Sequence, residues 1–184
     1  MSLEPATRDA LLAAVPSLRA FAISLSGHYD RADDLVQDTL VRALANIDRF
    51  EPGTNLNAWL FTILRNLFHS EFRKRRREVE DADGAHAAKL AAVPEQGGHL
   101  DLDDFRKALV KLQPEQREAL LLIGASGFSY EETAAICGCA VGTVKSRVNR
   151  ARTRLAEMLG LDDPNAELGP DRMILTATGA AMVP

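Results

Sequence analysis

Apolar residues recur at helical steps along almost the whole chain, and strand-like alternation is nearly absent. After Pro16, a short stripe of Leu18, Phe21, Ala22 and Leu25 stops at Gly27. From Asp30 to about Ile47, Val36, Leu40, Leu44 and Ile47 predict a second helix, with Asp33, Asp34, Gln37, Asp38 and Arg42 pointing away from the stripe. Pro52 and Gly53 mark FEPGTN as a loop. A long helix then runs from about Asn55 to Arg77 on the stripe Leu56, Leu60, Leu64 and Leu67. Helical patterning returns at Leu102 and continues to about Leu159.

Two segments break this rhythm. Residues 78–104 hold eight acidic residues against one lysine, with Gly84, Pro94, Gly97 and Gly98 interspersed, and read as a flexible acidic linker. The tail, 160–184, carries Pro164, Gly169, Pro170 and Gly179 without a sustained period, so loose order is expected, with Met173, Ile174 and Leu175 able to dock. The expected fold class is therefore all-α: two small helical domains, 10–77 and 105–159, joined by the linker. Neither has room for a deep catalytic cleft.

Composition narrows the chemistry. With 46% hydrophobic and 5% aromatic residues, the cores must be built largely from aliphatic side chains. The net charge of −4 and pI of about 5.6 mean that any nucleic-acid surface is local. RNLFHSEFRKRRREVED, residues 65–81, packs six basic residues and then turns acidic. No apolar run approaches the roughly 18 residues that span a bilayer, so no membrane role is expected, and MSLEPATRDA does not read as a secretion signal. Cys137 and Cys139 stand one residue apart with no Cys or His set nearby, which predicts reduced thiols in a cytoplasmic protein and no metal. No cofactor is implied. An enzyme reading fails for want of a His/Asp/Ser or metal constellation.

The stretch LQPEQREALLLIGASGFSYEETAAICGCAVGTVKSRVNRARTRL carries the sharpest motif. Pro114 suits the first turn of a helix bearing Leu120, Leu121 and Ile123 and ending at Gly124. Ser129 and Glu132 have capping-box spacing, so the next helix starts at Tyr130 and ends near Gly138. A last helix begins around Val141 and buries Val144, Val148, Ala151 and Leu155. This is a helix-turn-helix. Its exposed face presents Lys145, Ser146, Asn149 and Arg150, the residue types that read base edges in a major groove. Arg147, Arg152 and Arg154 flank that face and suit phosphates.

In the first domain, Trp59, Thr62, Asn66, His69 and Arg73 form a second stripe on the long helix and lead into Arg73, Lys74, Arg75, Arg76 and Arg77. A lone tryptophan there could be a core aromatic with one wet edge. Beside amide and cationic neighbours it also suits unpaired bases, which stack on rings and hydrogen-bond at their edges.

ADDLVQDTLVRALANIDRF, NLNAWLFTILRNLFHSEFRKRRR and the helix-turn-helix stretch resemble, in this order, the extracytoplasmic-function class of bacterial RNA polymerase sigma factors. The run from Leu18 to Asn66 is most similar to the alphaproteobacterial general-stress-response type. The resemblance covers about residues 10–159. It implies a four-helix domain for the promoter −10 element, a linker and a −35 domain, with RNA polymerase core (β and β′ subunits), promoter DNA and an anti-sigma factor as partners. It implies that Asp34, Leu35, Gln37, Asp38 and Arg42 dock on the clamp helices of β′. Phe50 to Leu56, including Asn55, match the loop that captures a flipped −10 base, and Asn66 lines its pocket. Trp59, His69, Arg73, Lys74, Arg75 and Arg76 fall with them on the melting side. Lys145, Ser146, Arg147, Asn149, Arg150 and Arg154 fall on the −35 side.

Two other readings stand beside it. A sigma-like mimic that sequesters an anti-sigma factor would need a receiver domain after these helices, where 25 residues follow Leu159. A stand-alone helix-turn-helix regulator would leave the first domain without a task.

Overall fold

The computed structural model describes residues 4–80 and 100–161, with side chains placed over 4–74 and 104–161. These residues form seven α-helices and one 3-10 turn, with no strand among them. The chain divides into two compact units between Val93 and Pro94. The expected linker between 81 and 99 and the tail from 162 onward, with Met173, Ile174 and Leu175, lie outside the described residues.

In the first unit, α1 spans Pro5–Ser26, so it starts before residue 10 and runs unbroken through Pro16. A mid-helix proline removes one backbone hydrogen bond and costs about 3 kcal/mol or more. Here Pro16 is exposed, and so is Leu12, whose carbonyl loses its partner, so the freed acceptor stays within reach of water. Leu11 and Ala14 before the proline and Leu18, Phe21, Ala22 and Leu25 after it are buried in one stripe. That shared stripe outweighs the break. It also corrects the expectation of no bilayer-length apolar segment. By length and composition only, α1 is apolar enough to cross a membrane. Arg8, Asp9 and Arg19 had interrupted the run. In the fold, the apolar side of α1 packs on the next two helices.

The second helix, α2, spans Tyr29–Ala45. Its buried residues are Ala32, Leu35, Val36, Thr39 and Ala43, not the expected Val36–Leu40–Leu44–Ile47 stripe. Leu40 and Ile47 are half-buried, and Leu44 is 49% exposed. The physical reason is the small side chains. Ala32, Thr39 and Ala43 allow close helix contact, and the Thr39 hydroxyl donates to the Leu35 carbonyl at 2.6 Å, so its burial leaves no unmet polar group. A 3-10 turn at Ile47–Arg49 then leads into the FEPGTN loop.

The third helix, α3, spans Leu56–Glu80. Asn55 caps it, its side-chain oxygen accepting from the Ala58 N–H at 3.3 Å. Leu60, Phe61, Leu64 and Leu67 are buried, while Leu56 is half-buried. The Phe61 ring lies 5.0 Å from that of Phe21 on α1. The helix passes the expected end at Arg77 because arginine and glutamate are good helix formers and no glycine intervenes before Gly84. Arg31 on α2 clips the two helices together, over the Phe68 ring at 5.4 Å and against Glu71 at 3.5 Å. The described residues of this unit thus hold three α-helices and a 3-10 turn, where the resemblance implied four helices.

The second unit opens with α4, Leu100–Val110, which begins inside the expected linker. Asp101, Asp103 and Asp104 suit the positive end of a helix rather than a coil. Phe105, Ala108, Leu109 and Leu112 are buried. Next, α5 spans Pro114–Gly124 with Pro114 at its first turn. Arg117 and Glu118 are buried on it, and the Arg117 guanidinium donates to the Val110 carbonyl at 3.3 Å, tying α5 to the end of α4. Burial pulls the Arg117 pKa below its ordinary value, and the Glu118 charge opposes that shift. The sixth helix, α6, spans Tyr130–Cys137 and the seventh, α7, Val141–Leu159. The capping box is realised at both ends: Glu132 N–H donates to Ser129 Oγ at 3.0 Å, and Ser129 N–H to Glu132 Oε2 at 2.9 Å. Gly138 ends α6 at φ 63°, a backbone that other residues rarely adopt, and so allows the tight turn into α7. Val144, Val148, Ala151, Leu155 and Ala156 are buried, and α7 packs against all three other helices of the unit.

Ser129→Ala is therefore expected to lower the stability of the second unit by about 1 kcal/mol. Leu155→Ala should cost roughly 2–5 kcal/mol. Denaturant unfolding followed by circular dichroism separates the two.

Candidate nucleic-acid interfaces

The α6–α7 pair presents one basic face. Burial of Val144, Val148 and Ala151 leaves Lys145, Ser146, Asn149 and Arg150 exposed at i, i+1, i+4 and i+5. Lys145 is steadied by Tyr130 of α6, its Nζ lying 5.8 Å from the ring centroid. Ser146 Oγ donates to the Thr143 carbonyl at 3.0 Å, which orients the hydroxyl and leaves its lone pairs outward. Arg147 and Arg152 are half-buried beside the face, and Arg147 reaches Cys139 Sγ at 3.7 Å. Arg154 is exposed and pairs with Glu157 at 2.9 Å, so its charge is shared one turn further on. No acidic residue occupies the first turn of α7, which keeps its positive helix end unopposed. Tyr130 was missed in the sequence because a lysine–ring contact across a turn has no linear signal.

In the first unit the polar face of α3 is equally well separated from the core. Asn66 is exposed, and Trp59, Thr62 and His69 are half-buried. Thr62 Oγ1 donates to the Ala58 carbonyl at 2.8 Å. The Phe50 ring, at the start of the loop, lies 5.4 Å from that of Trp59. Asn55 serves the backbone as a cap, as described above. Arg73 and Lys74 are exposed beyond His69. Arg75 and Arg76 continue the helix, and their side chains lie outside the described ones.

Between α2 and α3 the surface dips into a pocket of about 250 Å³ lined by Arg42, Asn46, Arg49, Trp59, Ile63 and Asn66. It brings together Trp59 and Asn66, as expected, and it draws in Arg42, which the resemblance put with the docking segment. Asn46, Arg49 and Ile63 were missed. The spacing 42, 46 and 49 was a legible signal, a polar ladder with the same steps as the mixed apolar and amide ladder at 59, 63 and 66.

The α2 segment that the resemblance gives to polymerase docking is only partly on the surface. Asp34, Gln37, Asp38 and Arg42 are exposed as expected, but Leu35 is 1% exposed and belongs to the core. Its place on the surface is taken by Val41, 58% exposed, and Leu44. The exposed stripe is therefore amphipathic. Nearby, Asp33 pairs with Arg19 of α1, and that hydrogen bond holds the Asp33 carboxyl below its usual range. Among the described residues no group of three or more His, Cys, Asp or Glu is arranged to hold a metal ion.

Two compact helical units, one with an aromatic–amide pocket and one with a basic helix-turn-helix, define a class of transcription factor that recognises DNA in two places. Comparison with known proteins agrees. Residues 12–78 match the family Sigma-70 region 2, and 102–155 match Sigma-70, region 4. The ECF RNA polymerase sigma factor EcfG of Rhodopseudomonas palustris is 65% identical over 179 residues, 97% of this chain and 98% of that protein. The ECF RNA polymerase sigma factor SigC of Mycobacterium tuberculosis is 38% identical over 133 residues, 72% of each chain. Among solved structures, the sigma factor RpoE of Bartonella quintana, crystallised with the anti-sigma factor NepR, is 61% identical with a TM-score of 0.79, covering 87% of this chain and all of that one. The chain belongs to the extracytoplasmic-function RNA polymerase sigma factors, of the alphaproteobacterial general-stress-response type. Such a factor binds core RNA polymerase and directs it to promoters.

Burial separates Leu35 and Asn66, which linear reasoning both placed on binding surfaces. Leu35→Ala is expected to destabilise the free protein by roughly 2–5 kcal/mol, whereas Asn66→Ala should stay within about 0.5 kcal/mol of the parent. Denaturant midpoints of the two variants check this.

Proposed function

We propose that the two surfaces divide promoter recognition between them. Lys145, Ser146, Asn149 and Arg150 read base edges of the −35 element in the major groove, while Arg147 and Arg154 contact phosphates. The pocket beside Trp59 and Asn66 receives a base of the −10 element flipped out of the duplex, with Phe50 and the FEPGTN loop closing over it. Arg73, Lys74, Arg75 and Arg76 hold the strand's phosphates beyond it. Asp34, Gln37 and Asp38, with Val41 and Leu44, dock on the polymerase clamp. No residue performs covalent chemistry, so the protein is not an enzyme. Opening exchanges base stacking, a few kcal/mol per step, for contacts with unpaired bases. The site of action is the cytoplasm, where polymerase and promoter meet.

The observation that carries this reading is the pocket on the polar face of α3. It is concave, floored by Trp59 and Ile63 and rimmed by amides and guanidinium groups, on the helix whose far end is basic. An anti-sigma protein is proposed as a further partner, because the Bartonella quintana relative was solved with one.

Asn66→Ala should retain polymerase binding but open duplex promoters poorly, and the defect should shrink on a template already mismatched at −10. Permanganate footprinting on both templates tests it. An equal defect on the two templates would remove Asn66 from melting.

Asn149→Ala and Arg150→Ala should each cost roughly 1–3 kcal/mol in use of the −35 element. Co-purification with core polymerase should be unchanged. Transcription from promoters with and without a matched −35 sequence measures the first effect.

A further inference from the structure

The pocket between α2 and α3 is built from two ladders of the same spacing. Arg42, Asn46 and Arg49 come from the end of α2 and the 3-10 turn, and Trp59, Ile63 and Asn66 from α3. Trp59 and Ile63 supply apolar surface on which a flat ring can stack. The polar remainder is strongly unbalanced. Each guanidinium carries five N–H donors and no acceptor. Asn46 is oriented by its own backbone contact, its Nδ2 donating to the Arg42 carbonyl at 2.8 Å, so one of its donors is already engaged. Among the described residues, the only side-chain acceptors lining the pocket are the two asparagine carbonyl oxygens, and no carboxylate lines it. A volume of about 250 Å³ accommodates a single base.

We infer that the pocket selects a flipped base bearing an exocyclic carbonyl (guanine, thymine or cytosine) and rejects adenine, with Arg42 and Arg49 as the residues that set this preference. A donor-rich rim is matched by carbonyl oxygens, as when arginine pairs with the O6 and N7 of guanine. Adenine has no carbonyl oxygen able to take two N–H donors at once, only ring nitrogens that accept one each, and its amino group flanks two of these, N1 and N7. A buried donor left unpaired on either side weakens binding, and the penalty falls on the wrong base. On this reading Arg42 belongs to DNA recognition rather than to the polymerase-docking stripe. The inference rests on the pocket's role as a base receptor proposed above.

The test uses holoenzyme, reconstituted with core polymerase, on fork-junction DNA in which each unpaired −10 position carries each of the four bases in turn. Affinity is measured at fixed salt. At one position adenine should bind about 5- to 150-fold more weakly than the best carbonyl base, the span of one specific guanidinium–base contact. Arg42→Ala and Arg49→Ala should reduce that ratio severalfold, and Asn66→Ala should weaken every base at the same position. Core binding by Arg42→Ala, measured in parallel, should match the parent.

Three results would overturn the inference while sparing the base-pocket reading. Adenine could be the preferred base at the position sensitive to Asn66. The arginine variants could weaken all four bases equally with a shallower salt dependence, which would make them phosphate contacts. Arg42→Ala could lose core binding while keeping the base preference, which would return Arg42 to the docking stripe. Absence of any position sensitive to Asn66→Ala would instead overturn the base-pocket reading itself, and the inference with it.

Discussion

Burial of Leu60, Phe61, Leu64 and Leu67 along one side of α3 is the constraint on which the first unit depends. Those four side chains meet α1 and α2, with Phe61 against Phe21 at the centre. Helical geometry then leaves no choice for the residues between them. Trp59, Asn66 and Arg73 must emerge on the opposite side, in line, because they stand at steps of seven residues. A helix that had to bury tryptophan for its own stability could not also offer it to a ligand. Here the leucines and phenylalanines provide the core, so the tryptophan is left half-exposed beside an exposed asparagine.

The second unit solves the same problem with one helix as its hub. Every other helix of the unit packs on α7, through Val144, Val148, Ala151 and Leu155. The exposed basic face is what those contacts leave over. Its orientation is set by Gly138 and by the capping box at the start of α6, which together fix where α6 ends and α7 begins. Tyr130, the first residue of α6, then reaches Lys145 on α7. Buried Arg117 extends the chain of supports outward to the end of α4.

Charge is distributed by the same economy. The chain as a whole is acidic, yet its cations gather at the end of α3, around the pocket and along α7. Several arginines serve the protein itself: Arg31 clips α2 to α3, Arg19 holds Asp33, and Arg117 is buried. A count of basic residues in the sequence does not separate these from the arginines that face outward. Burial and pairing do, and they explain why so acidic a protein can carry two nucleic-acid surfaces.

The all-helical class, the helix-turn-helix, its capping box and the leucine stripe of α3 were determined by the sequence alone, because each depends on spacing within one helix or one turn. Spacing is a local property, and it survives without knowledge of the partner surface. Four things were decided only by tertiary structure. Pro16 was tolerated because packing on both sides of it formed one stripe. Leu35 went inward and Leu44 outward because Ala32, Thr39 and Ala43 brought α2 close to its neighbours, a preference that hydrophobicity does not register. Arg42 lines the pocket because Asn46 and Arg49 lie on its own side and Trp59 and Asn66 face it from another helix. Tyr130 became the support of Lys145 only when two helices were laid against each other. Each of these depends on what lies across a helix interface, and such contacts join residues whose distance along the chain says nothing about their distance in space.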